Sequence, residues 1–342
     1  MKTFRFMVDG FGAVLRNKRL VIFAWLVNLA FGMVLAVPMM NLIGRSVADT
    51  QREELLLQRT DENWWQTFRY EERNNEIARM LDYSIFGAGP FMQFGDRLLS
   101  GGVVTSVGGF LVGAVTSLRL NFSGMSLLTL LTLVYAAVGS LLAGGFVNAY
   151  WSGYPVTIAE FISDGGRFFG RFIRLALIGL LVSALLFHYI GDWAQHAIAL
   201  WTANEPSEMT PFIFYLIKNA VMAFLIAVVV LCLDYAKIML VADDRVSAIA
   251  AFGAGLVFTV SRFGRTFPLF FTLWLIGLAL MGLYAVVEGM FAQSTWWSIM
   301  GVFALQQVYM ILRLTLKAGF YGSEIALYRQ VEAERVRAVA KA

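Results

Sequence analysis

The stretch "LRNKRLVIFAW", residues 15–25, decides the fold class. Arg16, Lys18 and Arg19 stand directly against an apolar run, with no linker between charge and hydrocarbon. The arrangement recurs at Arg171-Phe172-Ile173-Arg174 before "LALIGLLVSALLF", and at Arg262-Phe263-Gly264-Arg265 before "TFPLFFTLWLIGLAL". A membrane interface favours such clusters, because the long stems lie along hydrocarbon while the charged heads reach the head groups.

Composition points the same way. Of 342 residues, 59% are hydrophobic and only 15% charged, with mean hydropathy +0.68; a soluble domain carries about 25% charged residues. Apolar runs of about 20 residues match a hydrocarbon core about 30 Å thick. They do not alternate as barrel strands do. The expected fold is therefore all-α and polytopic. Net charge is +4 and pI 9.2. Because the cations sit beside apolar runs, the expected partner is phospholipid with anionic head groups, not nucleic acid. The lone Cys232 can form no internal disulfide. The first apolar run is too long for a signal-peptide core and reads as an uncleaved span.

Six spans are expected: Leu20–Ile43, Gly124–Tyr150, Leu175–Leu200, Pro211–Val241, Phe267–Phe291 and Trp297–Leu327. No Lys or Arg lies between Arg174 and Lys218, nor between Arg265 and Arg313. The turns in those gaps face outward by the positive-inside rule, which puts the three basic clusters and both termini in the cytoplasm. Each cluster closes a stretch resembling an interfacial amphipathic helix: "FRFMVDGFGAVLRNKR", "IAEFISDGGRFFGRFIR" and "VSAIAAFGAGLVFTVSRFGR". A threefold repeat follows, of surface helix and then transmembrane hairpin. The organisation is a single membrane domain over 1–342. Residues 1–43 hold a surface helix and first span, and 44–123 an insertion. Residues 124–150 form the second span, 151–241 the second surface helix and hairpin, 242–330 the third, and 331–342 a cytoplasmic tail.

The insertion is charged but balanced, with eight basic and ten acidic residues from Arg45 to Arg119. Trp64, Trp65, Phe68 and Ile77 are placed to line one face of a helix there. "VVTSVGGFLVGAVTSL", 103–118, reads as re-entrant or interfacial, with Gly108, Gly109 and Gly113 permitting close approach; the alternative, a span, would invert the later helices and turn two basic clusters outward. Gly139, Ala143 and Gly144 are likewise spaced for helix contact. "AGGFVNAYWSG" resembles "KAGFYGSEIALY" near the inner end of the last span.

Three constellations bear on chemistry. His188, Asp192 and His196 in "HYIGDWAQH" share a helix face and are suitable zinc or iron ligands. Their spread of about 12 Å lets only two adjacent members share one ion; the alternative is interfacial polarity beside Trp193 and Trp201. Gln306, Arg313, Lys317 and Glu324 form a narrow stripe, with Asp234 and Lys237 as expected neighbours. The stripe reads as a transport pathway or anion site, or Arg313 and Lys317 simply snorkel. Asp243-Asp244-Arg245 reads as an N-cap and dipole match for a helix from Val246, the alternative being a divalent-ion site on the paired carboxylates. No Gly-rich phosphate loop, G-x-S-x-G, H-E-x-x-H or CxxC occurs, so no soluble-type catalytic centre is indicated.

Cluster-led hairpins with "GGF" near the inner end of an even span resemble a broad group of bacterial inner-membrane proteins. It includes the membrane domain fused to some glycerophosphodiester phosphodiesterases, and uncharacterised six-helix proteins. The resemblance implies a bacterial inner membrane and lipid contact, and supplies no catalytic residues. This chain has no phosphodiesterase domain, and its first outer loop is larger than the group's compact pattern. The leading functional expectation is a non-enzymatic scaffold or accessory subunit without a cofactor. It would hold lipid through Arg16, Lys18, Arg19, Arg171, Arg174, Arg262 and Arg265, with other membrane proteins or further copies of the chain as partners. The alternatives are a permease using the stripe and a metalloenzyme using the triad.

Overall fold

The structure, a computed structural model, describes residues 2–48, 62–73, 127–291 and 295–341. Every regular element among them is helical. In chain order these are α1 (Lys2–Arg16), α2 (Lys18–Ala48), α3 (Glu62–Glu71), α4 (Leu127–Ser152), α5 (Ile158–Leu185), a π-helical turn (Leu186–Gly191), α6 (Asp192–Trp201), α7 (Met209–Ala242), α8 (Ala248–Ser261), α9 (Phe263–Gly289) and α10 (Trp296–Val339).

Four helices are long and apolar enough to cross a membrane: Ile158–Trp201, Met209–Ala242, Phe263–Gly289 and Trp296–Val339. A bent pair, Thr3–Arg16 with Lys18–Val34, makes a fifth if counted as one span. In their most apolar windows only 11% to 22% of residues are buried. Their greasy surface therefore faces outward, and the chain is a multi-pass membrane protein.

Local chemistry sets the boundaries. At the elbow between α1 and α2, bent by 74°, Asn17 is buried. Its Nδ2 donates to the Ala13 carbonyl at 3.3 Å, and its Oδ1 accepts from the Val156 N–H at 3.0 Å. One side chain thus closes α1 and ties the elbow to the turn before α5. That turn leaves α4 at Gly153, whose φ of 82° is the left-handed conformation a glycine adopts without strain. Thr157 then caps α5: its Oγ1 accepts from the Glu160 N–H, while Glu160 Oε2 accepts from the Thr157 N–H at 2.7 Å. Thr295 and Ser247 cap α10 and α8 in the same sense.

The second expected surface helix differs from expectation. Nothing in "GRFIRLAL" breaks the chain, and Arg174 Nε donates to the Gly170 carbonyl within the helix. Surface stretch and span are one helix, Ile158–Leu185. The 331–342 tail is likewise not separate, since α10 runs on to Val339. The insertion is described only over residues 62–73. There Trp64, Trp65 and Phe68 bury one another against Leu42 and Ile43 of α2. Ile77 and 103–118 lie outside the described residues.

Among the described residues, three helix pairs bring a partner's backbone within 3 Å of where a glycine Cβ would lie. A Cβ on Gly165 of α5 would lie 2.5 Å from the Leu141 carbonyl oxygen of α4. One on Gly255 of α8 would lie 2.5 Å from the Cys232 carbonyl oxygen of α7. One on Gly10 of α1 would collide with the Ser323 backbone of α10. Backbones this close admit no side chain. Gly144 and Ala143 lie at the first of these contacts or in the core beside it, whereas a Cβ on Gly139 would meet nothing within 4 Å among the described residues.

Candidate functional site

The most unusual chemistry lies where α7 faces α10. Asp234, Tyr235 and Lys237 come from α7, and Tyr321 and Glu324 from α10. Lys237 Nζ is 2.6 Å from Asp234 Oδ1 and 5.4 Å from the centroid of the Tyr321 ring. One ammonium thus holds a carboxylate and lies over an aromatic face. Glu324 is fully buried, and the charges within its reach are Asp234 and Lys237. Neither Glu324 oxygen has a hydrogen-bond partner among the described residues, and neither has the Tyr235 hydroxyl. An unpartnered carboxylate in such a setting is costly. With both acids ionised the trio would carry one excess negative charge.

A chain of packed aromatic rings runs from Tyr235 of this centre. Tyr235 packs on Phe258, Phe258 on Tyr328, and Tyr328 on Trp151, with centroids 4.7, 5.3 and 6.1 Å apart. The chain of rings joins α7, α8, α10 and α4. The Arg329 guanidinium lies 4.8 Å over Trp151 and donates to that residue's carbonyl.

The stripe on α10 is divided among neighbours. Gln306 lies beside Tyr284, Arg313 beside Tyr309, and Glu324 against α7. Lys317 lines a cavity of about 70 Å³ with Ala24, Asn28, Tyr135 and Tyr321. Gln307, not Gln306, accepts a hydrogen bond from Trp25 Nε1 at 3.0 Å. Asp234 and Lys237 are neighbours of Glu324, but Tyr235 and Tyr321 were not legible as members of the group. Nothing in the sequence distinguishes them from other core aromatics.

In the triad, His188 Nδ1 lies 3.1 Å from Asp192 Oδ2, both side chains exposed. His196 is exposed further along α6 and does not join them. Among the described residues no group of three metal-ligating side chains converges.

The basic clusters divide in two. Arg171 Nη1 is 2.6 Å from Asp244 Oδ1 and also donates to the Arg245 carbonyl, while Arg265 pairs with Glu334 at 2.8 Å. Arg16, Lys18, Arg19, Arg174 and Arg262 are exposed. The expected Asp243–Asp244 cap does not form: Ser247 caps α8 instead. Asp243 meets Arg245 and accepts from the Tyr328 hydroxyl, and Asp244, at a φ of 46°, takes Arg171 and Arg167. Those guanidiniums, with the Arg171 hydrogen bond foremost, hold the Asp244 carboxyl below the usual carboxylate range.

No protein-family model, curated protein or solved structure matches the chain.

Proposed function

We propose that the chain is a six-span protein of the bacterial inner membrane with both termini cytoplasmic. It acts as a non-enzymatic scaffold or accessory subunit that gathers anionic lipid at its cytoplasmic rim and offers apolar flanks to partner membrane proteins. The observation that carries this reading is the exposure of Arg16, Lys18, Arg19, Arg174 and Arg262 at the starts of three apolar runs. Each basic residue near an anionic leaflet is worth about 1 kcal/mol. The two further spans are α2 and α4. At 31 and 26 residues, they are about 47 and 39 Å long, against a core of about 30 Å.

A threefold repeat is part of the proposal. Its support is the glycine contact in each of three helix pairs, together with a shared pattern: Phe6, Asp9, Gly10, Arg16 and Arg19 recur in the same spacing as Phe161, Asp164, Gly165, Arg171 and Arg174. The third copy, around Gly255, is looser. Native mass spectrometry in anionic lipid tests the lipid reading. Arg16, Lys18, Arg19, Arg174 and Arg262 replaced together by Gln should strip bound phosphatidylglycerol and cardiolipin while the protein stays folded. Undiminished retention of those lipids removes it.

One observation favours a second reading, a permease. Lys317 lines a cavity between α2, α4 and α10, and an ionisable residue inside a span commonly faces such a space. On that reading Arg313→Ala and Lys317→Ala lose flux and keep their fold; normal flux in both excludes it.

A further inference from the structure

Glu324 is fully buried and its two oxygens have no hydrogen-bond partner among the described residues. Its electrostatic neighbours are a carboxylate and an ammonium already bound to each other at 2.6 Å. Among the described residues the trio is therefore one positive charge short with both acids ionised, and Lys237 cannot supply it twice. We propose that Glu324 is a proton-binding site, occupied while Lys237 is held by Asp234.

A proton suits the site better than a metal ion. One hydrogen on a carboxyl oxygen neutralises the group without the six or so oxygen ligands that a hard cation collects. It also removes the charge from a carboxylate that has no hydrogen-bond donor among the described residues. Lys237 retains 24% of its side-chain exposure and Asp234 10%, so Lys237 is the most exposed member of the trio. On release, the proton passes from the Glu324 carboxyl to water. The Lys237 ammonium is then shared between two carboxylates, and no other bond changes.

The groups on the packed elements leave this balance intact. α7 contributes Asp234, Tyr235 and Lys237, and α10 itself Tyr321, while Lys317 of α10 faces the cavity it shares with Asn28 and Tyr135. α1 carries Arg5 and Asp9, exposed and facing each other at 4.0 Å. α8 has no ionisable side chain, and Arg265 of α9 is held by Glu334. α4 presents Tyr150, and α2 carries Lys18 and Arg19 at its exposed end. The inference is independent of lipid retention at the rim.

Infrared difference spectra across a pH titration, on the full chain in lipid nanodiscs, test it. The wild type should show the carbonyl band of a protonated carboxylic acid at neutral pH, fading as pH rises, and Glu324→Gln should lack it. In Lys237→Met two acids share no ammonium, so the band area at neutral pH should about double. Identical spectra for wild type and Glu324→Gln overturn the proposal, as does an unchanged area in Lys237→Met. Should Glu324→Gln fail to fold, Glu324→Asp keeps an acid and must shift the band; an unshifted band there also overturns it.

Discussion

Glycines one or two positions apart in three helices should respond to alanine in opposite directions. A Cβ on Gly165 would lie 2.5 Å from a carbonyl oxygen of α4, whereas one on Gly166 meets nothing within 4 Å. The same contrast separates Gly255 from Gly253, and Gly10 from Gly12. All six positions are helical, so alanine gains about 1 kcal/mol of helix propensity at each. At Gly165, Gly255 and Gly10 the obstacle is backbone, which cannot swing aside, and overpacking costs about 1–3 kcal/mol. The open positions should therefore be stabilised by up to about 1 kcal/mol, and the tight ones should lie about 1–3 kcal/mol below their open neighbours. Thermal unfolding in one detergent, six variants side by side, reads the ranking directly. If Gly165→Ala melts at or above Gly166→Ala, and the other pairs agree, the close backbone contacts are not what holds these helices together.

Three more outcomes are expected. Asn17→Ala removes the acceptor of the Val156 N–H and should destabilise by about 1–3 kcal/mol, read by chemical unfolding; a neutral result would mean that the elbow is held elsewhere. Thr157→Ala should cost about 1 kcal/mol through the lost cap of α5; Thr157→Ser should restore most of it in the same assay, and equal losses in the two would refute the cap. Asp244 is held below its usual range by Arg171 and Arg167. Its stabilisation is thus complete above the unfolded value of about 3.9, and is lost as pH falls through the lower folded value. Asp244→Asn should flatten that acid limb of the stability profile, and matching acid limbs in wild type and variant would refute it.

The helical membrane class was legible because hydrophobic run length is a property of the chain alone. The Trp64, Trp65 and Phe68 face was legible from spacing within one helix. Where a helix breaks was less so. At Asn17 the side chain satisfies groups freed by the bend, while after Arg174 no residue offers such a partner and the helix continues. The Asp243–Asp244 reading failed because Arg171, 73 residues away, competes for the carboxylate that a local rule assigns to a cap. Periodicity placed Glu324 on the stripe with Gln306, Arg313 and Lys317. It could not separate one that is wholly enclosed from others lying along different neighbours, since that depends on which helices come to surround it.

The contact of Gly10 with Ser323 spans 313 positions (323 − 10), against 24 for Gly165 with Leu141 (165 − 141) and 23 for Gly255 with Cys232 (255 − 232). At roughly 5–20 residues per second of synthesis, the two short-range pairs can zip as they leave the ribosome. The α1 helix waits roughly 15–60 s for its α10 partner at those rates. Until then the side of α1 that carries Phe6, Met7 and Val14 lacks that cover, and lipid or insertion machinery must shelter it. The α1–α10 contact is therefore a late clasp, and a nascent chain halted before α10 would be inserted but unlatched.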